Sequence, residues 1–284
     1  EAFDLGLGEA EAKGVLTAIT TLLQAEEALT MLLSYGWDPE SSALHASHYA
    51  LATPALAVTQ ANAYGRFGVR DNLCGFSFAG VGADSKPAVL DGLATIYGTG
   101  NGMPSAGGIA VINNNAVGGA ILDSLSVSPT TGAADYNIDG ALCLRNLFTG
   151  TDANAAKVQQ GMAEVRRSGN LRGKPAVIVH GRADALVPAA FTSRPYFGLN
   201  KIVEGATSKL SYIEVTNAQH LDVLNGQIAG YDTRFVPLQR YFIAAMMLVG
   251  LSLGAGILGY HYIAEMSWID SVLNASMILG GMGP

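Results

Sequence analysis

Ala176-Val177-Ile178-Val179 is a short, wholly apolar run, entered through the turn-forming Arg172-Gly173-Lys174-Pro175. A run of that length without polar alternation is the pattern of a parallel strand buried on both faces. A second strand candidate, Leu210-Ser211-Tyr212-Ile213-Glu214-Val215, alternates more, and Tyr196 to Glu204 leaves room for one helix between the two. Strand, crossover and strand make a βαβ unit, so an α/β core is predicted over residues 172–240.

Such a core also says where chemistry belongs, because ligands and catalytic groups gather beyond the carboxyl ends of parallel strands. The first strand runs into His180-Gly181-Arg182-Ala183-Asp184-Ala185-Leu186-Val187-Pro188, and the second into Thr216-Asn217-Ala218-Gln219-His220-Leu221-Asp222. An acid after one strand and a histidine after the next is the closing half of the Ser, acid, His order of an α/β-hydrolase triad. In that reading Asp184 fixes the tautomer of the imidazole and stabilises the imidazolium. His220 takes the serine proton and returns it to the leaving group, and an ester is cleaved through an acyl-enzyme. Arg182, beside the acid, has a fork of donors suited either to a substrate carboxylate or to a surface ion pair.

Composition narrows the alternatives. Apolar residues make up 49% and charged residues 14%, which excludes intrinsic disorder. A formal net charge of −7 excludes a basic nucleic-acid footprint. Cys74 and Cys143 are too few for a disulfide scaffold or a zinc site of their own, and whether they form one bridge is left open. His45 and His48 are spaced to share a helix face, but no third ligand lies near, so a structural or cap-lining role is expected and no metal or other cofactor is called for.

Residues 1–36 read as a helical segment. Val15, Leu16, Ile19, Leu22, Leu23, Ala25, Leu29, Leu32 and Leu33 keep a helical period, and Gly36 supplies the stop. Residues 37–171 read as a loop-rich cap or insertion with short helices at most. Within it Asn113-Asn114-Asn115 suits either polar turns or hydrogen bonds to an ester carbonyl, and Tyr64 and Tyr136 suit a cap lining. Beyond Arg240 the charged residues are Glu265 and Asp270, and Tyr241 to Ala264 is uncharged and long enough to cross a bilayer. Gly250 and Gly254 are spaced as a packing face. Residues 241–284 are thus expected to form a hydrophobic, membrane-like tail of separate origin, with membrane association through 241–264. The acidic opening Glu1-Ala2-Phe3-Asp4 carries no targeting signal.

From about Tyr35 to about Phe242 the chain resembles the 3-hydroxybutyrate oligomer hydrolases. The stretches that carry the resemblance are Gly36-Trp37-Asp38-Pro39-Glu40-Ser41, Leu44-His45-Ala46-Ser47-His48-Tyr49-Ala50, Ala61-Asn62-Ala63-Tyr64-Gly65-Arg66-Phe67 and Asn72-Leu73-Cys74-Gly75-Phe76-Ser77-Phe78, then Ser126-Val127-Ser128-Pro129 through Asp139-Gly140, and His180 to Pro188. The resemblance implies a secreted serine esterase that cuts 3-hydroxybutyrate dimers and short oligomers to monomers during poly(3-hydroxybutyrate) degradation. It implies the carboxyl-terminal part of an α/β-hydrolase fold, that is, the last strands and helices of a parallel sheet. It also implies a nucleophile in a Ser-Asn-Gly-Gly type elbow upstream, a stretch this sequence does not contain. The chain is therefore expected to be a fragment, inactive alone. The weak local alternative, Gly75-Phe76-Ser77-Phe78-Ala79, places Ser77 between flanks that suit neither the strand nor the helix of an elbow. A reading from a different class is a non-catalytic binding or scaffold domain anchored in a membrane by residues 241–264.

Overall fold

The six residues from Ala176 to Gly181 do form a strand, and its partner is the one the apolar pattern picks out. In the computed structural model, which describes residues 9–45, 55–90, 102, 108–134 and 137–279, the elements in chain order are α1 (Glu9–Ser34), α2 (Ala57–Gly65), β1 (Phe76–Val81), β2 (Pro87–Ala88), β3 (Ala110–Asn113), β4 (Ile121–Leu122), α3 (Ile138–Thr149), α4 (Ala153–Glu164), β5 (Ala176–Gly181), α5 (Ser193–Glu204), β6 (Leu210–Val215), α6 (Tyr231–Arg234), α7 (Gln239–Tyr262) and α8 (Trp268–Leu279). The chain divides into two units, Glu1–His45 with Ser168–Pro284, and Ala46–Arg167.

In the first unit β5 and β6 pair in parallel, from Ala176 opposite Leu210 to Gly181 opposite Val215. The α5 crossover between them completes the βαβ unit. Val179, Val215, Ala218 and Leu238 are buried together, with Ala245 of α7 packed against them. Asp222 ends the loop after β6 by accepting the N–H groups of Leu238 and Gln239 at 2.8 and 2.7 Å. These are the orphan donors at the start of α7, so the loop and the helix are tied at one carboxylate. α7 is long and apolar enough to cross a bilayer, and none of its residues is buried. Its first half nevertheless flanks β5: Phe242, Ala245, Met246 and Val249 line an apolar cleft of about 730 Å³ with Val177 and Val179. The tail is thus a pair of helices, α7 and α8. They approach closely at Gly256, where a Cβ would lie 3.2 Å from that of Ala275, and His261 stacks on Trp268.

The second unit departs from the loop-rich expectation. Its strands form a four-stranded antiparallel sheet in the order β2-β1-β3-β4, with Phe76 opposite Asn113 and Ala79 opposite Ala110. Two of these strands are two residues long, and turn residues crowd the links between them, so no alternation runs far enough to show in the sequence. The result is a mixed helix-and-sheet protein with one antiparallel and one parallel sheet, and the wider parallel sheet implied by the resemblance is not formed among the described residues.

The core of this unit joins Val58 and Ala61 of α2, Phe76 of β1, Val111 of β3, Leu144 and Leu147 of α3, and Val158 of α4. α2 and α4 meet backbone to backbone: a Cβ on Gly161 would stand 1.9 Å from the Tyr64 carbonyl oxygen. Asn137 and Asp152 cap α3 and α4 by accepting N–H groups of their first turns. Asp123 is buried in the turn after β4, and desolvation pushes its carboxyl up to about 6. Cys74, just ahead of β1, is bridged to Cys143 of α3 across 69 residues.

A loop that long makes the bridge worth about 4 kcal/mol in the chain-entropy account. The double variant Cys74→Ala/Cys143→Ala should lose about that much in the denaturant unfolding of residues 46–167, and reductant should bring the unmodified protein to the same midpoint. Equal midpoints with and without reductant would show that no bridge forms.

Candidate active site

Asp184 and His220 come together beyond the carboxyl ends of β5 and β6. His220 Nδ1 donates to Asp184 Oδ2 at 2.8 Å. The loops that carry them are joined by backbone bonds, Arg182 N to Val215 O at 2.9 Å and Ala183 N to Ala218 O at 3.0 Å. This approach demands glycine at 181, because a Cβ there would lie 2.3 Å from the Ala218 carbonyl oxygen. The acid loop rests on a small apolar cluster of Leu44, Ala183, Ala185 and Phe235, flanked by Trp37 and Tyr231.

Asp184 is 4% exposed. Its Oδ1 accepts the N–H groups of Leu186 and Val187 at 2.9 and 2.8 Å, and its Oδ2 lies 3.4 Å from His180 Nε2. Burial pushes this carboxyl up, but the donors from His180, His220 and Val187 outweigh it and hold the group down at about 2. The same bond raises His220 above the ordinary histidine value, against the opposing effect of its own partial burial. The pair therefore has an ionised acid and an imidazole of fixed tautomer, with Nδ1 protonated and Nε2 left to accept.

Beside the pair lies an ion cluster. Arg182 is 3.5 Å from Glu40 Oε1, 3.5 Å from Glu214 Oε2 and 3.8 Å from Asp38 Oδ1. Arg194 bonds Glu214 through two nitrogens and Asp38 at 3.0 Å. Glu40 Oε2 also accepts the Asn217 N–H at 3.0 Å, so the turn after Trp37 is attached to both the acid loop and the histidine loop.

The other sequence candidates belong to other elements. Ser77 sits inside β1 opposite Ile112 and accepts from Asn114 Nδ2 at 2.8 Å; it is on a ladder and not at a strand-to-helix turn. Asn114 also bonds Asn72 Oδ1, and Asn113 Oδ1 accepts the Asn115 N–H, closing the turn after β3. Tyr64 packs against the core of its unit. His45 bonds Ser41 and meets the Trp37 ring edge-on at 4.6 Å, while His48 and Tyr136 lie outside the described residues. Among the described residues no three His, Cys, Asp or Glu side chains form a group able to hold a metal, and none bonds His220 besides Asp184.

The sequence pattern of the 3HB-oligomer hydrolase family matches residues 8–257. This chain belongs to that family. The match takes in α1 and most of α7, so the boundary expected near Phe242 moves into that helix, and residues 258–284 lie beyond it. A D-(-)-3-hydroxybutyrate oligomer hydrolase of Albidiferax ferrireducens is 58% identical over 256 residues, which is 87% of this chain and 36% of that relative. Equally named relatives from Polaromonas sp. and Azoarcus sp. are 57% and 52% identical, over 87% and 82% of this chain and 36% and 34% of their own length. The chain thus spans about a third of the length of these family members. No solved structure matches it.

Two outcomes follow from the geometry. Gly181→Ala should part the two loops, costing several kcal/mol of stability, on the order of 3 or more, and freeing His220 from Asp184; a variant of unchanged stability would place the loops further apart than described. For Asp184 the folded value lies below the unfolded one, so its stabilisation is present above about pH 4 and lost as pH falls toward 2, and amounts to about 2 kcal/mol. His220 has the opposite sign: its share is present below the ordinary histidine value and fades as pH rises through the raised one. The stability gap between the unmodified protein and Asp184→Asn, followed by denaturant titration, should therefore narrow between about pH 5 and 2.

Proposed function

We propose that this chain supplies the acid and the base of a serine esterase that hydrolyses 3-hydroxybutyrate dimers and short oligomers. The observation that carries the reading is the 2.8 Å bond from His220 Nδ1 to Asp184 Oδ2 at the ends of two adjacent parallel strands. It is supported by the names of the relatives, which are D-(-)-3-hydroxybutyrate oligomer hydrolases. On this reading β5 and β6 belong to an α/β-hydrolase sheet, and the loops after them carry the last two members of its triad.

His220 Nε2 takes the proton of a serine hydroxyl as its oxygen attacks the ester carbonyl. Asp184, ionised, stabilises the imidazolium that forms. The imidazolium returns the proton to the departing 3-hydroxybutyrate oxygen, leaving an acyl-serine, and the cycle repeats with water as nucleophile. The serine comes from outside the residues that form the pair. Arg182, matched by Asp38, Glu40 and Glu214, is assigned to holding the loops. A Cys74–Cys143 bridge suits an exported protein, since such bonds persist in oxidising compartments.

The test is a chimera in which this chain replaces the matching third of the Albidiferax relative, assayed for monomer release from 3-hydroxybutyrate dimer. Release is expected, with a loss on the order of 10⁶-fold in His220→Ala. Full activity in that variant would overturn the assignment. Fluorophosphonate labelling of the chimera and of the isolated chain locates the serine.

A further inference from the structure

His180 is the last residue but one of β5, directly before Gly181, with its side chain 13% exposed. Its Nε2 lies 2.9 Å from the Val187 carbonyl oxygen and 3.4 Å from Asp184 Oδ2. A carbonyl oxygen only accepts, so Nε2 carries the proton and the tautomer is set. Val187 is then held at both of its polar groups: its N–H goes to Asp184 Oδ1 at 2.8 Å and its carbonyl takes the His180 N–H. The turn from Asp184 to Val187 is thereby closed back onto the strand it left. With Oδ1 occupied by the Leu186 and Val187 N–H groups, the carboxylate has one orientation, in which Oδ2 faces His220. A strand-end histidine that only filled space would need neither contact.

We propose that His180 is a positioning residue for the Asp184–His220 pair, fixing the carboxylate by pinning Val187 and sharing Oδ2 with His220. It acts through Asp184, and its role rests on the reading of Asp184 and His220 given above. The bond to the Val187 carbonyl is the shorter of the two and dominates. Losing it opens the turn and weakens the bond between acid and base; losing mere competition for Oδ2 would strengthen that bond.

The two effects have opposite signs in the titration of the His220 ring, read by NMR on the 284-residue chain. Asp184→Asn should bring His220 down toward the ordinary value of about 6.5. His180→Leu, which keeps bulk and removes the donor, should bring it part of the way in the same direction. His180→Gln, whose amide nitrogen stands where the imidazole Nε2 stands, should restore it. His180→Asn, too short to reach Val187, should behave as leucine does and serves if the leucine variant does not fold. An unmoved or raised His220 value in the leucine and asparagine variants, or equal shifts in leucine and glutamine, would overturn the positioning role while leaving the pair intact. A His220 value unaffected by Asp184→Asn would instead overturn the pair, and the role of His180 with it.

Discussion

The Ala218 carbonyl oxygen occupies the space into which a side chain at 181 would project, and the acid and base meet because glycine leaves that space open. Adjacent parallel strands bring their loops side by side, and a Cβ at 181 would meet the Ala218 carbonyl oxygen at 2.3 Å and push the two loops apart. Here the two loops share backbone hydrogen bonds, Arg182 to Val215 and Ala183 to Ala218. The remaining parts of the unit preserve that contact. The cluster of Leu44, Ala183, Ala185 and Phe235 supports the acid loop from below, and Asp222 fixes the far end of the histidine loop to α7. Glu40 and the two arginines fasten the turn after Trp37 across both.

The parallel pair and the two residues after it were legible because their signals are local. An apolar run bounded by turn residues marks a strand, and a loop after a parallel strand is where ionisable residues gather. Burial on both faces is not what β5 shows, since only Val179 and Gly181 in it are buried and Val177 is exposed. The antiparallel sheet was not legible. Its pairing of Phe76 with Asn113 is a long-range event between short segments rich in turn formers, and neither has a period to detect. The bridge between Cys74 and Cys143 is hidden for the same reason, since two cysteines 69 residues apart carry no information about proximity.

The sequence also offered no means of finding the ion cluster. Arg194 and Asp38 are separated by 156 residues, and nothing in either segment marks the other as a partner. Arg182 stands two residues from Asp184 in sequence, but whether it faces a ligand carboxylate or a protein one depends on the acids the fold brings to it, which are Asp38, Glu40 and Glu214. The membrane-like tail shows the converse difficulty. Its composition was plain, but hydropathy alone does not distinguish a helix solvated by lipid from one whose first half flanks a strand, and α7 flanks β5 with Phe242, Ala245, Met246 and Val249.

The buried Asp123 gives the two units contrasting responses to acidity. Both it and Asp184 are carboxyls removed from water, but among the described residues no donor meets Asp123 Oδ1, so burial keeps the group neutral up to about 6, whereas Asp184 stays ionised down to about 2. Starting from a common unfolded value near 4, the two windows run in opposite directions. From these two groups, residues 46–167 lose stability as pH climbs from about 4 to 6, and the unit holding the acid and base loses it as pH drops from about 4 to 2. The bonded carboxyl thus yields in strong acid and the unbonded one on the way to neutrality, so burial without donors and burial with them answer to opposite ends of the same pH range.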